Sequence, residues 1–200
     1  MMNEEINCNP YAIYPLTGDR WDDFETLFGE HGAYAGCWCI YWRIKRSEFM
    51  KMKGDDRKAI MVQMVESGVV PGVLLYDNGQ PNGWCSIGPR EDFKPLENSR
   101  TLKRIDNQPV WSIVCFFVTR TNRRKGCMTI LIKGALDYAK QQGARIVEAY
   151  PTDLQTPLLS GKKLTGHSGF MGIASIFREI GFSEVGRASE TQLIMRYTVG

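Results

Sequence analysis

The stretch "TRTNRRKGCMTILIKGALDYA", residues 119–139, contains the excess positive charge of the chain. It follows an apolar run, "VWSIVCFFV", which ends at Val118 and is typical of a central strand buried on both faces. Four of its first seven residues are basic: Arg120, Arg123, Arg124 and Lys125. Gly126 and a helix with apolar residues at i, i+3 and i+4 spacing come next. The pattern indicates a buried strand, a basic turn and a helix start.

This arrangement predicts an anion site. The first amides of a helix have no intrahelical partner, and the helix dipole favours negative charge at the same end. Gly126 lets a phosphate approach the backbone, and Thr129 adds a hydroxyl in the first turn. Arg123, Arg124 and Lys125 supply charge-assisted hydrogen bonds. We therefore expect a phosphate ligand, and a diphosphate in particular; a solvated basic turn without a ligand is the alternative.

Length and charge limit the other classes of function. The 200 residues suit one domain, with 25 basic and 22 acidic side chains. Because the basic residues concentrate in one turn, the chain does not have the spread basic face of a nucleic-acid-binding protein. The opening "MMNEEINCNP" differs from a signal peptide, and no apolar run reaches membrane-spanning length. We expect a cytoplasmic protein with neither nucleic acid nor membrane as a partner.

The order of predicted elements gives one α/β domain (mixed α+β) with a mixed sheet. Residues 1–68 are predicted to be a helical part, with helices in "WDDFETLFGE" and after Ser47. Residues 69–143 contain a hairpin, a polar loop, the central strand and the helix after Gly126. Residues 144–200 contain the strand "RIVEAY", the helix in "GFMGIASIFREIG" and a closing hairpin.

The segment "FFVTRTNRRKGCMTILIKGALDYAKQQGA" resembles the acyl-CoA signature of the GNAT acetyltransferase superfamily. In that signature a strand and a short turn precede [QR]-x-x-G-x-[GA], and Arg123, Gly126 and Met128 occupy the three defined places. Downstream, "SIFREIGFSEVGR" looks like the family's C-terminal helix, which ends in a Gly-Phe pair, here Gly181 and Phe182. The resemblance covers nearly the whole chain. It implies a GNAT-like fold with six to seven strands flanked by helices.

The resemblance implies an N-acetyltransferase that uses acetyl-CoA, or another acyl-CoA, as cosubstrate. The pantetheine arm would pair with the end of the central strand, and the pyrophosphate would bind the helix amides. A bulge near Val118 would offer a free N–H to the thioester oxygen. The implied cofactor-binding residues are Phe116, Phe117, Val118, Arg123, Arg124, Lys125, Gly126, Cys127, Met128 and Thr129.

Three positions depart from the family pattern. Met128 stands where Gly or Ala is usual, and Phe170 stands roughly where an asparagine is common. Phe177 stands where the family often has a tyrosine that protonates the leaving thiolate. These departures leave a second hypothesis open, namely a noncatalytic acyl-CoA-binding or regulatory domain.

Three residues are candidates for acid–base catalysis. Glu148 and Tyr150 alternate onto one face of "RIVEAY". Glu148 on an apolar strand is a candidate base, or else a carboxylate that faces solvent from an edge strand. Tyr150 is a candidate acid, or else a packing residue with one satisfied hydroxyl. His167 lies in a glycine-rich loop before the last helix and titrates near neutrality, or else is simply exposed.

The acceptor pocket is predicted in the helical part. Trp38, Tyr41 and Trp42 of "GCWCIYWR", together with Trp84, are expected to form its wall. A buried aromatic cluster is the alternative. The acceptor is expected to be a small-molecule or peptide amine, and self-association as a homodimer is left open.

The six cysteines fit a reducing compartment. Cys37 and Cys39 form a C-W-C, but a zinc site usually needs a second pair at defined spacing. Because the sequence has no such pair and contains only His31 and His167, we expect no metal. A covalent role for Cys37 or Cys39 is a third hypothesis, which the lack of an adjacent histidine disfavours.

Overall fold

The computed structural model describes residues 11–159 and 169–200. Within these ranges, helices flank a single seven-stranded sheet. The strands are β1 (Tyr11–Pro15), β2 (Gly72–Asp77), β3 (Gln80–Pro89), β4 (Trp111–Val118), β5 (Ile146–Ala149), β6 (Ser183–Arg187) and β7 (Leu193–Thr198). The α-helices are α1 (Trp21–Phe28), α2 (Arg46–Phe49), α3 (Gly54–Glu66), α4 (Lys94–Glu97), α5 (Cys127–Gln141) and α6 (Ala174–Ile180).

The strand order is β1-β2-β3-β4-β5-β7-β6, with β4 in the centre. In the described part of the chain only β4 and β5 pair in parallel, and every other neighbour is antiparallel. The sheet is therefore mixed and has seven strands, which confirms the predicted fold class. The helix α5 crosses over between β4 and β5, as a parallel pair requires.

Apolar clusters cover the two faces of the sheet. On one face α5 and α6 pack against alternate residues of the central strands. The contact with β1 is close, because a Cβ added at Gly134 of α5 would lie 2.6 Å from the side chain of Ile13. The helices α1 and α3 contribute to a second cluster, which includes Phe24, Trp38 and Trp84. A third cluster joins Phe93, Leu96 and Leu102 to Val114 and Tyr150.

The structure corrects two sequence predictions about local elements. The first 68 residues are not entirely helical, because β1 pairs along its whole length with β2. The bulge predicted near Val118 lies four residues earlier. Ser86 pairs with Cys115 and the next residue, Ile87, pairs with Ile113, so Val114 is the extra residue of β4.

Candidate functional site

The turn between β4 and α5 is built around two left-handed residues, Arg124 with φ of 65° and Gly126 with φ of 79°. The inner side of the turn is closed, because the buried Cys127 thiol donates to the carbonyl of Asn122 at 3.3 Å. The outer side is open: no atom lies within 4 Å of the position that a Cβ on Gly126 would take. A ligand can therefore approach the backbone of the turn from solvent.

Donors without a carboxylate partner among the described residues surround this opening. No side chain caps the N-terminus of α5, and its first turn contains no acidic residue. Arg123, Arg124 and Lys125 are exposed, and within the described ranges none forms an ion pair with a carboxylate. Thr129 is half-buried in the first helical turn. Backbone amides, the helix dipole and three cations thus converge on one surface, as a bound diphosphate requires.

Cys127 and Met128 contribute to this site through the backbone. The Cys127 side chain is buried, and its burial raises the pKa of the thiol. Met128 is partly buried and packs against the cluster beneath α5. The third place of the family signature usually has a small residue, and the Met128 side chain that stands there is not small. Contact of the ten predicted cofactor-binding residues with acyl-CoA stays a prediction.

The edge of β4 differs from the expected open edge. The strand pairs with β5 only from Trp111 to Ile113, and from there to Val118 it pairs with β3 alone. In the space beside it, the Phe116 N–H donates to the carbonyl of Phe170 at 2.6 Å. The Val118 carbonyl accepts from Nε of Arg123 at 3.1 Å. The chain itself therefore occupies two of the backbone groups predicted to pair with pantetheine, and the expectation of an open edge is wrong for these two groups.

One of the two aromatic departures, Phe177, is packed in the core. Phe177 has no exposed surface, and its ring centroid lies 6.1 Å from that of Phe116 and 4.9 Å from that of Phe182. A Cβ on Gly172 would lie 2.6 Å from the Phe177 ring, so the segment before α6 approaches the ring closely. The position that often carries a proton donor in the family here contributes only packing.

Glu148 and Tyr150 do share a face of β5, but the structure encloses both. Glu148 is 1% exposed, and its carboxylate accepts from Arg90 at 3.0 Å and from Nε of Arg196 at 2.9 Å. The Tyr150 hydroxyl contacts Arg90, Ser112 and Glu148, each at 2.8 Å. Burial raises the pKa of Tyr150 above its ordinary value.

The polar atoms of both residues therefore face buried partners. Glu148 is not the solvent-facing edge-strand carboxylate of the alternative, because β5 lies between β4 and β7, and the roles of Glu148 as a base and Tyr150 as an acid stay predictions. Arg90, which is also 1% exposed, donates to the carbonyls of Leu96 and Leu102 as well. Glu148 and Arg90 thus hold the segment after β3 against the sheet. His167, the third catalytic candidate, lies outside the described residues.

A cavity of about 260 Å³ lies beside this network. Tyr41 and Trp42 line it, together with Phe170 and Met171. Its polar lining comes from Ser99, Thr101, Thr152 and Gln192. Two of the four predicted acceptor-pocket residues therefore lie at a cavity, and their contact with an acceptor stays a prediction.

Trp38 and Trp84 do not belong to a pocket wall. They are 1% and 0% exposed, and both pack against Phe24 and Phe28. The Trp84 indole N–H donates to Sγ of Cys39 at 3.0 Å. The aromatic-cluster alternative is thus the correct one for these two tryptophans, because α1 covers them.

The cysteines of the C-W-C motif are also interior. Burial raises the pKa of Cys37 to about 11, whereas a hydrogen bond from Cys115 lowers the pKa of the buried Cys39. Residues 11–159 and 169–200 contain no group of three or more His, Cys, Asp or Glu side chains placed to hold a metal ion. Over the same ranges no helix has the length and apolar character needed to cross a membrane.

Sequence reasoning missed three residues of this region. Arg90 has no visible signal, because its partners Glu148 and Tyr150 follow 58 and 60 residues later. Arg196 and Gln192 lie in the closing hairpin, where alternation shows which face they occupy but not what they meet. The two arginines join parts of the chain that only the sheet brings together.

The comparisons with known proteins agree with this fold. The sequence model of the Acetyltransferase (GNAT) family matches residues 37–158, more than half of the chain, and the chain therefore belongs to this family. No curated protein has a sequence that matches this one.

Several solved structures share the fold. One is a GNAT-family protein from Desulfovibrio desulfuricans, with 12% identity over 95% of this chain and 99% of that one and a TM-score of 0.53. Another is a GNAT-family acetyltransferase from Streptococcus agalactiae, with 11% identity over 94% and 95% and a TM-score of 0.52. A third is a ribosomal-protein-alanine N-acetyltransferase from Brucella melitensis, with 17% identity over 94% and 99% and a TM-score of 0.51. At these identities the likeness is one of fold.

Proposed function

We propose that the protein transfers the acetyl group of acetyl-CoA to a primary amine. The observation that carries this proposal is the turn before α5, where exposed cations without a carboxylate partner among the described residues surround the uncapped start of a fifteen-residue helix. Membership of the GNAT acetyltransferase family supports acyl-CoA as the anion that the turn binds. Longer acyl groups would use the same diphosphate contacts.

Each part of the turn has a distinct role in the proposal. The backbone amides from Arg124 to Thr129 hold the diphosphate, and the side chains of Arg123 and Lys125 neutralise it. The amine lone pair attacks the thioester carbonyl, the C–S bond breaks, and the amide product and CoA thiol form. The amine must lose a proton before or during this step, and CoA takes one up.

The proton path runs outside the Glu148 network. Glu148 and Tyr150 are enclosed by Arg90 and Ser112, so a base must come from elsewhere. His167 stays the candidate from sequence. Because Phe177 has no hydroxyl, the thiolate leaves without that acid, which its good leaving-group character permits.

A noncatalytic acyl-CoA-binding domain is the second candidate function, and one contact favours it. The hydrogen bond from Phe116 to Phe170 fills the edge of β4 along which a pantetheine arm would lie. If that contact persists with cofactor present, the diphosphate can bind while the thioester stays away from an acceptor. Release of CoA thiol from acetyl-CoA in the presence of an amine panel separates the two functions.

A matched pair of glycine variants tests the diphosphate site. Gly126 and Gly143 lie at the two ends of α5, with φ of 79° and 82°, and an added Cβ meets nothing within 4 Å at either position. Asparagine tolerates this conformation, so Gly126→Asn and Gly143→Asn carry a similar backbone cost.

We expect Gly126→Asn to weaken acetyl-CoA binding by about tenfold or more, because its side chain occupies the approach to the amides. Gly143→Asn should retain wild-type affinity. Isothermal titration calorimetry on both variants measures this, and equal affinities in the two would contradict the assignment of the turn.

A further inference from the structure

The cavity of about 260 Å³ has a neutral lining that includes three aromatic rings. Tyr41 and Trp42 form one part of it, with ring centroids 5.2 Å apart in an edge-to-face arrangement. Phe170 supplies a third ring. No lining residue among those that the structure describes carries a formal charge. Such a surface suits the ring of a ligand better than a hydrated charged group.

The cavity adjoins the strand that would present the acyl group. Phe170 lines it, and the carbonyl of the same residue accepts from Phe116, in the half of β4 that does not pair with β5. An acceptor in the cavity would therefore lie next to the edge that the cofactor uses in the proposed function. The inference below rests on that function.

We propose that the acceptor is a small aromatic amine: one ring, a primary amine on a short arm and no second positive charge. A free arylalkylamine and an aromatic α-amino acid share this chemistry. Three further observations support it: the size of the cavity, the charges around it and the hydrogen bonds of Gln192.

The size fits one ring with a short arm. An engineered protein cavity of about 150 Å³ holds benzene. The volume of about 260 Å³ leaves space for a few more non-hydrogen atoms beside such a ring. A bulky multi-ring acceptor would extend out of the cavity and leave its rings in water.

The charges around the cavity disfavour polycations. Arg100 and Lys103, both exposed, flank the lining residues Thr101 and Leu102 in the chain. Of the carboxylates near the lining in sequence, Glu97 is paired with Arg90 and Arg104, and Asp153 is paired with Arg178, whereas the exposed Glu190, two residues before Gln192, forms no ion pair in the described part of the chain. Because none of the described lining residues is itself a carboxylate, a polyamine would lose hydration in the cavity without a counter-charge in its lining.

Gln192 supplies a hydrogen-bond acceptor for the amine that attacks the thioester. Its amide nitrogen donates to the carbonyl of Tyr150 at 3.3 Å and contacts the sulfur of Met171 at 3.2 Å. These contacts fix which way the amide points. In the described part of the chain its side-chain oxygen accepts no hydrogen bond, and so it is available to an amine N–H. Gln192 would then orient the amine without adding charge.

The experiment measures kcat/KM with acetyl-CoA for phenethylamine, L-phenylalanine and spermidine. We expect at least one of the two aromatic amines to exceed spermidine by about tenfold or more. The comparison of phenethylamine with L-phenylalanine distinguishes a free arylalkylamine from an aromatic α-amino acid as the acceptor. Acetyl transfer that prefers spermidine would overturn the inference while leaving the acetyltransferase function intact.

A substitution pair then tests the neutral lining. Thr101→Asp places a carboxylate at the cavity, and Thr101→Asn has nearly the same shape without the charge. The aspartate should raise the ratio of kcat/KM for spermidine to kcat/KM for phenethylamine by about threefold to tenfold. The asparagine should keep the wild-type order of the two substrates. Identical ratios in the two variants would contradict the electrostatic argument.

A binding measurement keeps the inference testable if no amine in the panel is acetylated. Titration of the wild-type protein with phenethylamine should change its tryptophan fluorescence, and Trp42→Phe should remove that change. Binding without turnover would support the cavity assignment and contradict the acetyltransferase proposal. If the protein neither binds nor acetylates an aromatic amine, the inference is overturned.

Discussion

Two groups of arginines in this protein have opposite surroundings. Arg123 and Arg124 lie exposed in the turn before α5 without a carboxylate partner among the described residues. Arg90 is buried and Arg196 partly buried, and they share the carboxylate of Glu148. Exposed cations without partners leave their charge available to a ligand, whereas paired cations are committed to the fold. The difference supports the turn, rather than the Glu148 network, as the proposed binding site.

The largest expected effect comes from Arg90→Met. This change removes one of the two donors to Oε2 of Glu148, the other being the Tyr150 hydroxyl, and it removes the donor to the carbonyls of Leu96 and Leu102. Breaking a buried ion pair on one side should lower the free energy of unfolding by about 3–5 kcal/mol. Urea denaturation measures it. Arg124→Met is the matched control in the exposed group and should change stability by less than about 0.5 kcal/mol. Similar small losses in both variants would remove the distinction between the groups.

A smaller effect on stability is expected for Glu148→Gln, which keeps the shape but leaves Arg90 and Arg196 facing a neutral amide. We expect a loss of about 1–3 kcal/mol. Turnover per folded molecule should stay within about twofold of wild type, whereas loss of a general base would cost about a hundredfold to ten-thousandfold. A loss of that size in a folded variant would restore Glu148 as the base.

The smallest effect concerns pH. A hydrogen bond from Arg196 lowers the pKa of Asp106 from 3.8 to about 2. A carboxyl whose pKa is lowered by folding stabilises the protein above its unfolded pKa, and that contribution is lost as the pH falls from about 4 to about 2. Asp106→Asn should therefore be less stable than wild type at pH 7 and nearly equal to it at pH 2.

Denaturation curves at several pH values measure this convergence. Asp137→Asn removes an exposed carboxylate that has no ion pair in the described part of the chain, and its difference from wild type should not converge in this way. A constant gap between Asp106→Asn and wild type from pH 7 to pH 2 would show that the Arg196 contact adds no stability.

The sequence predicts local features of this protein better than distant contacts. The strand, turn and helix around Gly126 could be predicted because their signals lie within about thirty consecutive residues. The strand β1 was missed because its partner β2 begins at Gly72, far along the chain. The same reason applies to Glu148, whose arginine partners lie 58 and 48 residues away. Burial of Trp38 and Trp84 depends on α1 covering them, which composition alone does not reveal.

The most direct test of the central claim is acetyl-CoA binding after charge reversal at two matched places. Arg124→Glu/Lys125→Glu alters the turn, and Lys140→Glu/Arg145→Glu changes net charge equally on other exposed residues. Calorimetry should show affinity lowered by about a hundredfold or more in the first variant and within about twofold of wild type in the second. Equal losses in both variants, or none in the first, would contradict the claim that this turn binds the diphosphate.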